Sequence, residues 1–292
     1  MRQLPKSLHM RAVKVHLPFL ATIAFTAMAL PMPSARADMT AWQGDARAGV
    51  RIVSGGTKVA DGPPVLRAGV EIRLAHGWKT YWRYPGDSGV PPHFDFAKSE
   101  NVKSVQLAWP APERFAEPDG IIIGYRNNVL FPLSIEPKDA AKPVVLRVTL
   151  DYAICEKVCI PVQARGELTI KGGATAGSAI AKAENTVPRI QALGADAALS
   201  VKAIHRDDAA KPARVLVDVA APEGGPLAIF AEGPSADWAL PVPDKVDGAP
   251  AGLQRFSFAL DGLPPGASAS GATLKVTAVA GPEAIETTFR LD

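Results

Sequence analysis

Cysteine is scarce in this sequence. Only two of the 292 residues are cysteine, and so low a count excludes a scaffold held together by many disulfides. Long helical patterns are also scarce, whereas 27 prolines and 25 glycines supply frequent breaks in the chain. These features favour a β-rich architecture built from short strands and turns.

Long hydrophobic runs are absent after the N-terminal region. The run at residues 17–30 is uncharged, but it is shorter than the roughly 20 residues of a membrane-spanning helix and is interrupted by Pro18. Basic residues precede it, and Ala35-Arg36-Ala37 follows it as a small-x-small cleavage pattern. We therefore expect residues 1–37 to be a signal peptide that is cleaved after Ala37, and the mature chain to be exported without a membrane span.

Basic charge is not in excess once this segment is set aside. Residues 1–37 hold five of the 32 Lys and Arg and none of the 29 Asp and Glu, so the remainder has 27 basic and 29 acidic residues, a net charge of −2. The sequence thus offers no basic patch that would indicate nucleic-acid binding.

The most informative stretch, residues 144–161, contains both Cys155 and Cys159. Apolar and polar residues alternate before the first cysteine, which predicts a half-buried strand ending there. Residues four apart in a strand are separated by roughly 13 Å, whereas the Cα atoms of a disulfide lie about 4.4–6.8 Å apart. If the cysteines are bonded, the chain must fold back between them, with Glu156 and Lys157 at the tip. Pro161 is expected where regular strand pairing stops.

Three interpretations of the cysteine pair stay open at this point. A redox-active pair is favoured, because a bridge that closes so short a loop stabilises the fold little and a short surface disulfide tends to exchange readily. A local structural disulfide is the second interpretation. The third is a Cu(I) site, since Cys-x3-Cys supplies soft thiolates, although His76, His93 and His205 do not lie at ligand spacing from the cysteines.

The rest of the chain consists of two series of short strand patterns. About eight lie between residues 50 and 170, which is typical of an immunoglobulin-like sandwich. Within this series Pro110–Asp119, with three prolines and four charges, is predicted to be a loop. An Ala-rich stretch at residues 176–183 predicts a short helix, and six further strand patterns follow from residue 199 onward.

The predicted fold class is therefore all-β, with two immunoglobulin-like β-sandwich domains joined by a short helical linker after the signal peptide. We assign residues 38–172 to the first domain, 173–196 to the linker and 197–292 to the second domain. The segment Gly86-Asp87-Ser88-Gly89 resembles the nucleophile loop of trypsin-like proteases, but no convincing Asp and His surround it. A bend of turn-forming residues explains that segment better.

Three pieces of the first domain resemble the N-terminal domain of the DsbD family of thiol:disulfide interchange proteins, a family with ScsB-like relatives. These pieces are Leu150–Pro161, residues 109–115 continuing through 124–126 to 131–133, and Gly77–Trp82. The resemblance covers about residues 50–170 and implies an immunoglobulin-like periplasmic domain. The family's cysteine pair receives electrons from a membrane-embedded reductase of the DsbD, ScsB or CcdA kind and passes them to periplasmic thioredoxin-like proteins. No bound cofactor and no metal are implied.

The resemblance also assigns residues to roles. Cys159 is expected to form the mixed disulfide with a partner, and Cys155 to resolve it. Glu113 and Arg114 are expected to form a cap together with Phe115, whose ring would shield the pair. Supporting residues are expected at Trp78, Tyr81, Tyr125, Tyr152 and Pro161.

Two departures from the family pattern affect this assignment. The family spaces its cysteines more widely, and this chain ends without the family's transmembrane electron-carrying region. We predict a periplasmic thiol:disulfide interchange protein, either a protein-disulfide reductase or an electron-transfer partner, that supports disulfide isomerisation, cytochrome c biogenesis or copper tolerance. The alternatives are a Cu(I)-binding copper-tolerance protein and a non-redox β-sandwich adaptor with a structural disulfide.

Overall fold

The computed structural model describes residues 38–58, 64–118, 120–172 and 176–292. The predicted signal peptide at residues 1–37 lies outside the described residues. Within the described ranges, no helix is both long and apolar enough to cross a membrane.

The first half of the described chain consists of strands joined by short turns. Its strands are β1 (Gln43–Gly44), β2 (Ala48–Lys58), β3 (Val65–Leu74), β4 (Lys79–Gly86), β5 (His93–Asp95), β6 (Val102–Leu107), β7 (Glu113–Glu117), β8 (Gly120–Arg126), β9 (Asn128–Pro137), β10 (Val144–Cys155) and β11 (Cys159–Ile170). They form one sheet in the order β1-β2-β3-β9-β6 and a second in the order β11-β10-β4-β8-β7, with β5 paired to β10.

These two sheets enclose the first hydrophobic core. Along β10 the residues at every second position, Val144 through Ile154, are buried, as the alternation of the sequence predicted. Trp82 of β4 and Phe131 of β9 are among the largest side chains that are fully enclosed between the sheets. Burying this apolar surface is the main stabilising contribution to such a sandwich.

A short helix, α1 (Gly177–Glu184), follows the first sandwich and packs against it. Ile180 is fully buried beside Val53, and Arg67 donates two hydrogen bonds to the Glu184 carboxylate, at 2.8 and 2.7 Å. The predicted helix is therefore present, and it is docked on the β2–β3 face.

The second half is also built of strands, and all six predicted there are present. Its strands are β12 (Arg189–Ile190), β13 (Ser200–Asp207), β14 (Arg214–Ala220), β15 (Leu227–Glu232), β16 (Asp244–Val246), β17 (Gln254–Ala259), β18 (Thr273–Ala280) and β19 (Glu283–Arg290). They form two four-stranded sheets, in the orders β12-β19-β18-β15 and β13-β14-β17-β16, around a second core. The predicted all-β fold of two sandwiches is confirmed, while the residue limits assigned to the domains stay predictions.

Two local expectations are wrong. Within Pro110–Asp119, the five residues Glu113–Glu117 form strand β7, because the prolines lie outside them and charged residues suit the exposed edge of a sheet. Pairing also does not stop at Pro161. Strand β11 pairs with β10 along its whole length, and Pro161 is accommodated because β11 lies at the sheet edge, where a missing N–H costs little.

Candidate redox site

The two cysteines close the end of the β10–β11 hairpin. Cys155 ends β10 and Cys159 begins β11, and the two residues lie opposite each other with Cα atoms 4.2 Å apart and their sulfurs joined in a disulfide. Residues 156–158 form the exposed tip between them. The expected reversal of the chain is thus confirmed, and the bridge joins positions that the hairpin already holds together.

The disulfide lies on the outer face of its sheet, away from the main core. Side chains alternate along β10, so Ile154 enters the main core whereas Cys155 packs on the opposite face, against Tyr81. Cys155 is buried, but Cys159 is exposed. The pair is therefore asymmetric, and an approaching thiol reaches the sulfur of Cys159 more readily.

Tyr81 binds both sulfur atoms. Its hydroxyl oxygen lies 2.7 Å from Sγ of Cys155 and 3.1 Å from Sγ of Cys159. Disulfide sulfurs carry no hydrogen, so the tyrosine O–H is the donor. Burial, assisted by the nearby charge of Glu117, raises the pKa of Tyr81 and keeps this proton in place. A hydroxyl so placed can stabilise negative charge on whichever sulfur leaves the bridge.

The Gly86–Gly89 segment holds Tyr81 in position. Gly89 has a φ of +140°, and a Cβ at this position would lie 2.2 Å from the Tyr81 ring, so only glycine fits. The Asp87 N–H donates to the carbonyl of Ile121 at 3.0 Å, and the Ile121 N–H donates to the Asp87 carboxylate at 2.7 Å. The segment is the predicted bend, and it forms one wall of the site.

A cavity of about 360 Å³ opens directly onto the disulfide. The hairpin tip, the turn between β7 and β8, and Ser88 surround it. Its lining residues are Ser88, Glu117, Pro118, Gly120, Ile122, Cys155, Glu156, Lys157 and Cys159. This space can admit a side chain or a reactive sulfur from another protein.

Phe115 packs on the same sheet face as Cys155 and is surrounded by charged side chains. It packs against the cluster that contains Cys155, and Lys79 and Arg126 lie 5.7 and 5.6 Å from the centre of its ring. Each cation also pairs with an acid on β7, Lys79 with Glu117 at 2.7 Å and Arg126 with Glu113 at 2.6 Å. These contacts, which we term the Phe115 clasp, hold the ring on the face that carries the disulfide.

Arg114 does not face the cysteines. Side chains alternate along β7, so Arg114 points away from Phe115 and reaches the second sandwich. It donates to the Pro243 carbonyl at 3.2 Å and to the Asp244 carboxylate at 2.8 Å. Of the three expected cap residues, Phe115 therefore contacts the cysteine cluster directly, Glu113 supports it, and Arg114 anchors the strand elsewhere.

The other expected supporting residues lie apart from the sulfurs. Tyr125 donates from its buried hydroxyl to the Pro110 carbonyl at 2.8 Å, which fixes the segment leading into β7. Trp78 packs against the main core. Tyr152 also faces the main core, where burial raises its pKa to about 12, and Pro161 lies opposite Ala153 in the hairpin. The roles assigned to these residues stay predictions.

The described residues hold no cluster of three or more His, Cys, Asp or Glu side chains arranged to bind a metal ion. His76 and His93 are exposed, and His205 belongs to the second sandwich. Among the residues that the structure describes, no third protein ligand therefore joins the two sulfurs.

Several residues of the site were not identified from the sequence. Lys79, Asp87, Glu117 and Arg126 support Tyr81 or Phe115 through the contacts described above. The sequence does contain one signal for Glu117. Glu113, Phe115 and Glu117 occupy every second position, which is the spacing of residues on one face of a strand. The neighbouring prolines concealed that pattern.

Comparison with known proteins shows that the segment carrying this site is similar to a known family. Residues 63–171 match the family model described as the N-terminal region of the thiol:disulfide interchange protein DsbD. This segment includes both cysteines, Tyr81 and the Phe115 clasp. A search of curated proteins found no match.

A solved structure shares the fold well beyond that segment. The crystal structure of the N-terminal periplasmic domain of ScsB from Proteus mirabilis aligns with a TM-score of 0.67 and 22% identity, covering 87% of this chain and 98% of the other. At this identity the match shows a shared fold, and its coverage extends that fold into the second half, beyond the resemblance found in the sequence. Residues 63–171 of this chain are similar to the N-terminal domains of the DsbD thiol:disulfide interchange proteins, and this segment contains the disulfide and its surroundings.

Proposed function

We propose that this chain is a periplasmic thiol:disulfide interchange protein that carries reducing equivalents through Cys155 and Cys159. The observation that carries the proposal is the asymmetry of the disulfide. Cys159 is exposed at a cavity, while Cys155 is buried beneath the hydroxyl of Tyr81. Such an arrangement presents one sulfur to attack and prepares the other to leave.

Reduction begins when a thiolate of an electron-donating partner attacks Sγ of Cys159. The Cys155–Cys159 bond breaks, a mixed disulfide forms between Cys159 and the partner, and Cys155 leaves as a thiolate that accepts the hydrogen bond of Tyr81. A second partner thiolate then attacks the partner's own sulfur and releases Cys159. The partner is left with a disulfide, and the two cysteines hold two electrons and take up protons from water.

Oxidation reverses these steps with a second protein. The Cys159 thiolate attacks the disulfide of a thioredoxin-like acceptor, and one acceptor sulfur leaves as a thiolate. The Cys155 thiolate then attacks Cys159, which restores the bridge and releases the reduced acceptor. Both steps need only cysteine chemistry, with a membrane-embedded reductase as the proposed donor.

A structural role for the bridge is less favoured on physical grounds. Loop-closure stabilisation grows with the number of residues enclosed, and only three residues separate these cysteines. The hairpin register already holds the two residues opposite each other. Removing the bond is therefore expected to change the stability of the fold little.

Trapping of partners in intact cells tests the proposal. Cells expressing the wild type, Cys155→Ser or Cys159→Ser would be quenched with acid, and free thiols labelled with a mass-tagging alkylating reagent. We expect a substantially reduced fraction in the wild type. We also expect more mixed disulfides in Cys155→Ser, which keeps the exposed sulfur, than in Cys159→Ser.

The identity of the trapped proteins distinguishes the downstream pathways, namely disulfide isomerisation, cytochrome c maturation and repair under copper stress. A wild type that is fully oxidised, resists mild dithiothreitol and traps no protein would contradict the proposal and indicate a structural disulfide.

A further inference from the structure

Strand β7, which carries Phe115, is the last strand of its sheet. It pairs only with β8, through five residues from Glu113 to Glu117. Within the described residues no strand pairs with its other edge. A short edge strand held on one side can separate at lower cost than an inner strand, so the position of Phe115 against the cluster around Cys155 depends on whatever else holds β7.

The second sandwich supplies such a contact. Arg114 extends from the face of β7 opposite Phe115 and binds both the carbonyl of Pro243 and the carboxylate of Asp244. Asp244 begins β16, which is itself the edge strand of its sheet. Two edge strands, one from each sandwich, are thus linked through a single arginine.

A much firmer contact joins the sandwiches at β4. Arg83 donates to Glu232 at 2.8 and 2.7 Å and also to Glu286, and the Trp82 ring lies 5.7 Å from that of Phe230. The side chains of Glu232 and Glu286 are only 14% and 10% exposed. Because β4 also carries Tyr81, the second sandwich is firmly attached to the strand beneath the disulfide.

The contact at β7 is weaker by comparison. The Asp244 side chain is 73% exposed and that of Arg114 is 32% exposed, so water and salt reduce their attraction. The second sandwich is therefore firmly attached to β4 and attached to β7 through a contact that can open.

We infer that the second sandwich acts as a latch, in which Asp244 and Pro243 hold Arg114 and so keep β7 in place until a partner docks, with Phe115 packed against the cluster around Cys155 and Glu117 lining the cavity. This inference rests on the proposed redox function. It gives the second sandwich a task in that function, which is to keep the cavity at Cys159 narrow for small thiols while allowing a docking protein to displace β7. Arg114 and Asp244 are positioning residues, since neither contacts a sulfur.

The test measures how fast dithiothreitol reduces the disulfide in the purified chain, from which residues 1–37 have been removed. The variants are Arg114→Ala, Asp244→Ala and the pair combined, and the matched control is Asp208→Ala, which breaks an exposed ion pair with Arg206 in the same sandwich. We expect each latch variant to react about two- to fivefold faster than the wild type, as the loss of one exposed ion pair allows. The double variant should react no faster than Arg114→Ala, and the control should be unchanged.

Two further measurements separate a latch from a general loss of stability. Salt at about 1 M should accelerate the wild type more than it accelerates Asp244→Ala, since only the wild type retains the exposed Arg114–Asp244 pair for salt to screen. Exchanging the charges, with Arg114→Glu and Asp244→Arg together, should slow the reaction again relative to either change alone.

The outcomes of these measurements distinguish the latch from the redox function on which it rests. If the latch variants, the control and the wild type react at one rate while partners are still trapped, the latch is wrong and the redox function stands. If the wild type resists dithiothreitol and traps no partner, both are wrong.

Discussion

The hydroxyl of Tyr81 is the group in this protein best placed to influence the chemistry of the disulfide. It is buried, it remains protonated, and it lies within 3.1 Å of both sulfurs. A hydrogen bond to a charged acceptor contributes about 1.5–3 kcal/mol, more than a bond to a neutral one. Tyr81 should therefore favour the thiolate over the disulfide, and so lower the barrier to breaking the bridge.

Replacing Tyr81→Phe tests this role, because it removes the hydroxyl and keeps the ring that packs on Gly89. We expect reduction by a thioredoxin-like donor to slow about tenfold, the equivalent of roughly 1.4 kcal/mol. The pKa of the Cys155 thiol, followed by alkylation across a pH series, should rise. Stopped-flow mixing gives the rate.

The matched control for this change is Tyr84→Phe, which alters a tyrosine three residues away on the same strand. The Tyr84 hydroxyl binds the Leu240 carbonyl and does not contact the cysteines. Equal rates for Tyr81→Phe, Tyr84→Phe and the wild type would show that the hydroxyl has no part in the exchange.

At the scale of the element, strand β7 owes its position to what lies on each of its faces. One face presents Phe115 between two acids that pair with Lys79 and Arg126, and the other presents Arg114 to the second sandwich. Period-2 alternation is what separates these two sets of contacts. A loop of the same composition would not divide its side chains in this way.

Shortening Phe115→Ala is expected to speed the reduction of the disulfide by dithiothreitol about fivefold. The physical reason is the loss of ring cover and of two cation–π contacts, each worth about 0.5–1 kcal/mol at an exposed site. Phe115→Leu should fall between alanine and the wild type, because it covers the sulfurs without a π face. A rate for Phe115→Ala no higher than that of Phe115→Leu would contradict the clasp.

The β14–β17 pair in the second sandwich predicts a pH dependence of stability. Asp218 of β14 is buried and accepts two hydrogen bonds from Arg255 of β17, at 2.6 and 2.7 Å. These bonds, together with the charges of Arg255 and His205, lower the pKa of Asp218 in the folded state. This stabilisation is therefore present above the ordinary carboxyl pKa of about 3.9 and is lost as the pH falls through the lower folded value.

We expect Asp218→Asn to reduce the free energy of unfolding by about 2 kcal/mol at pH 7. The difference from the wild type should shrink below about pH 4, as the wild-type carboxyl also loses its charge. Urea unfolding at pH 7, 5 and 3 measures this difference in the free energy of unfolding. The exposed pair of Arg214 and Asp207 provides a control, since Asp207→Asn should change stability far less. A difference independent of pH would show that the charge of Asp218 does not contribute.

At the scale of the whole molecule, the two sandwiches share apolar contacts as well as ion pairs. Phe230 and Val242 of the second half belong to the core cluster of the first. Arg83 lies at the same boundary between two nearly buried glutamates. The second half therefore packs directly against the sandwich that carries the disulfide and helps to stabilise it.

Replacing Arg83→Met should destabilise the chain by about 3 kcal/mol, because Glu232 and Glu286 would lose their principal cation within a nearly buried site. Arg206→Ala, which breaks an exposed pair in the second half, should cost less than about 1 kcal/mol. Chemical denaturation followed by tryptophan fluorescence measures both. Equal stability of Arg83→Met and the wild type would mean that this ion cluster does not hold the sandwiches together.

The sequence could predict what depends on short-range pattern. Alternation along Leu146–Ile154 identified the central strand and its buried face, and the spacing of the cysteines required a reversal between them. The six strands of the second half were identified in the same way. Where prolines interrupted the pattern, at Pro112 and Pro161, local composition suggested loops or strand ends, and strand pairing overrode it.

Tertiary structure decided what depends on residues far apart in the chain. Tyr81 meets the cysteines only because β4 pairs with β10, and Arg114 meets Asp244, 130 positions later, only because the sandwiches pack together. The alternation within one strand does not predict contacts between residues that are so far apart in the sequence. The sequence by itself thus determined the strands, the hairpin and the family resemblance of its cysteines. Only the tertiary structure decided which sulfur is exposed, which hydroxyl donates to the two sulfurs and which side chains pack beside them, because these depend on contacts between strands and between sandwiches.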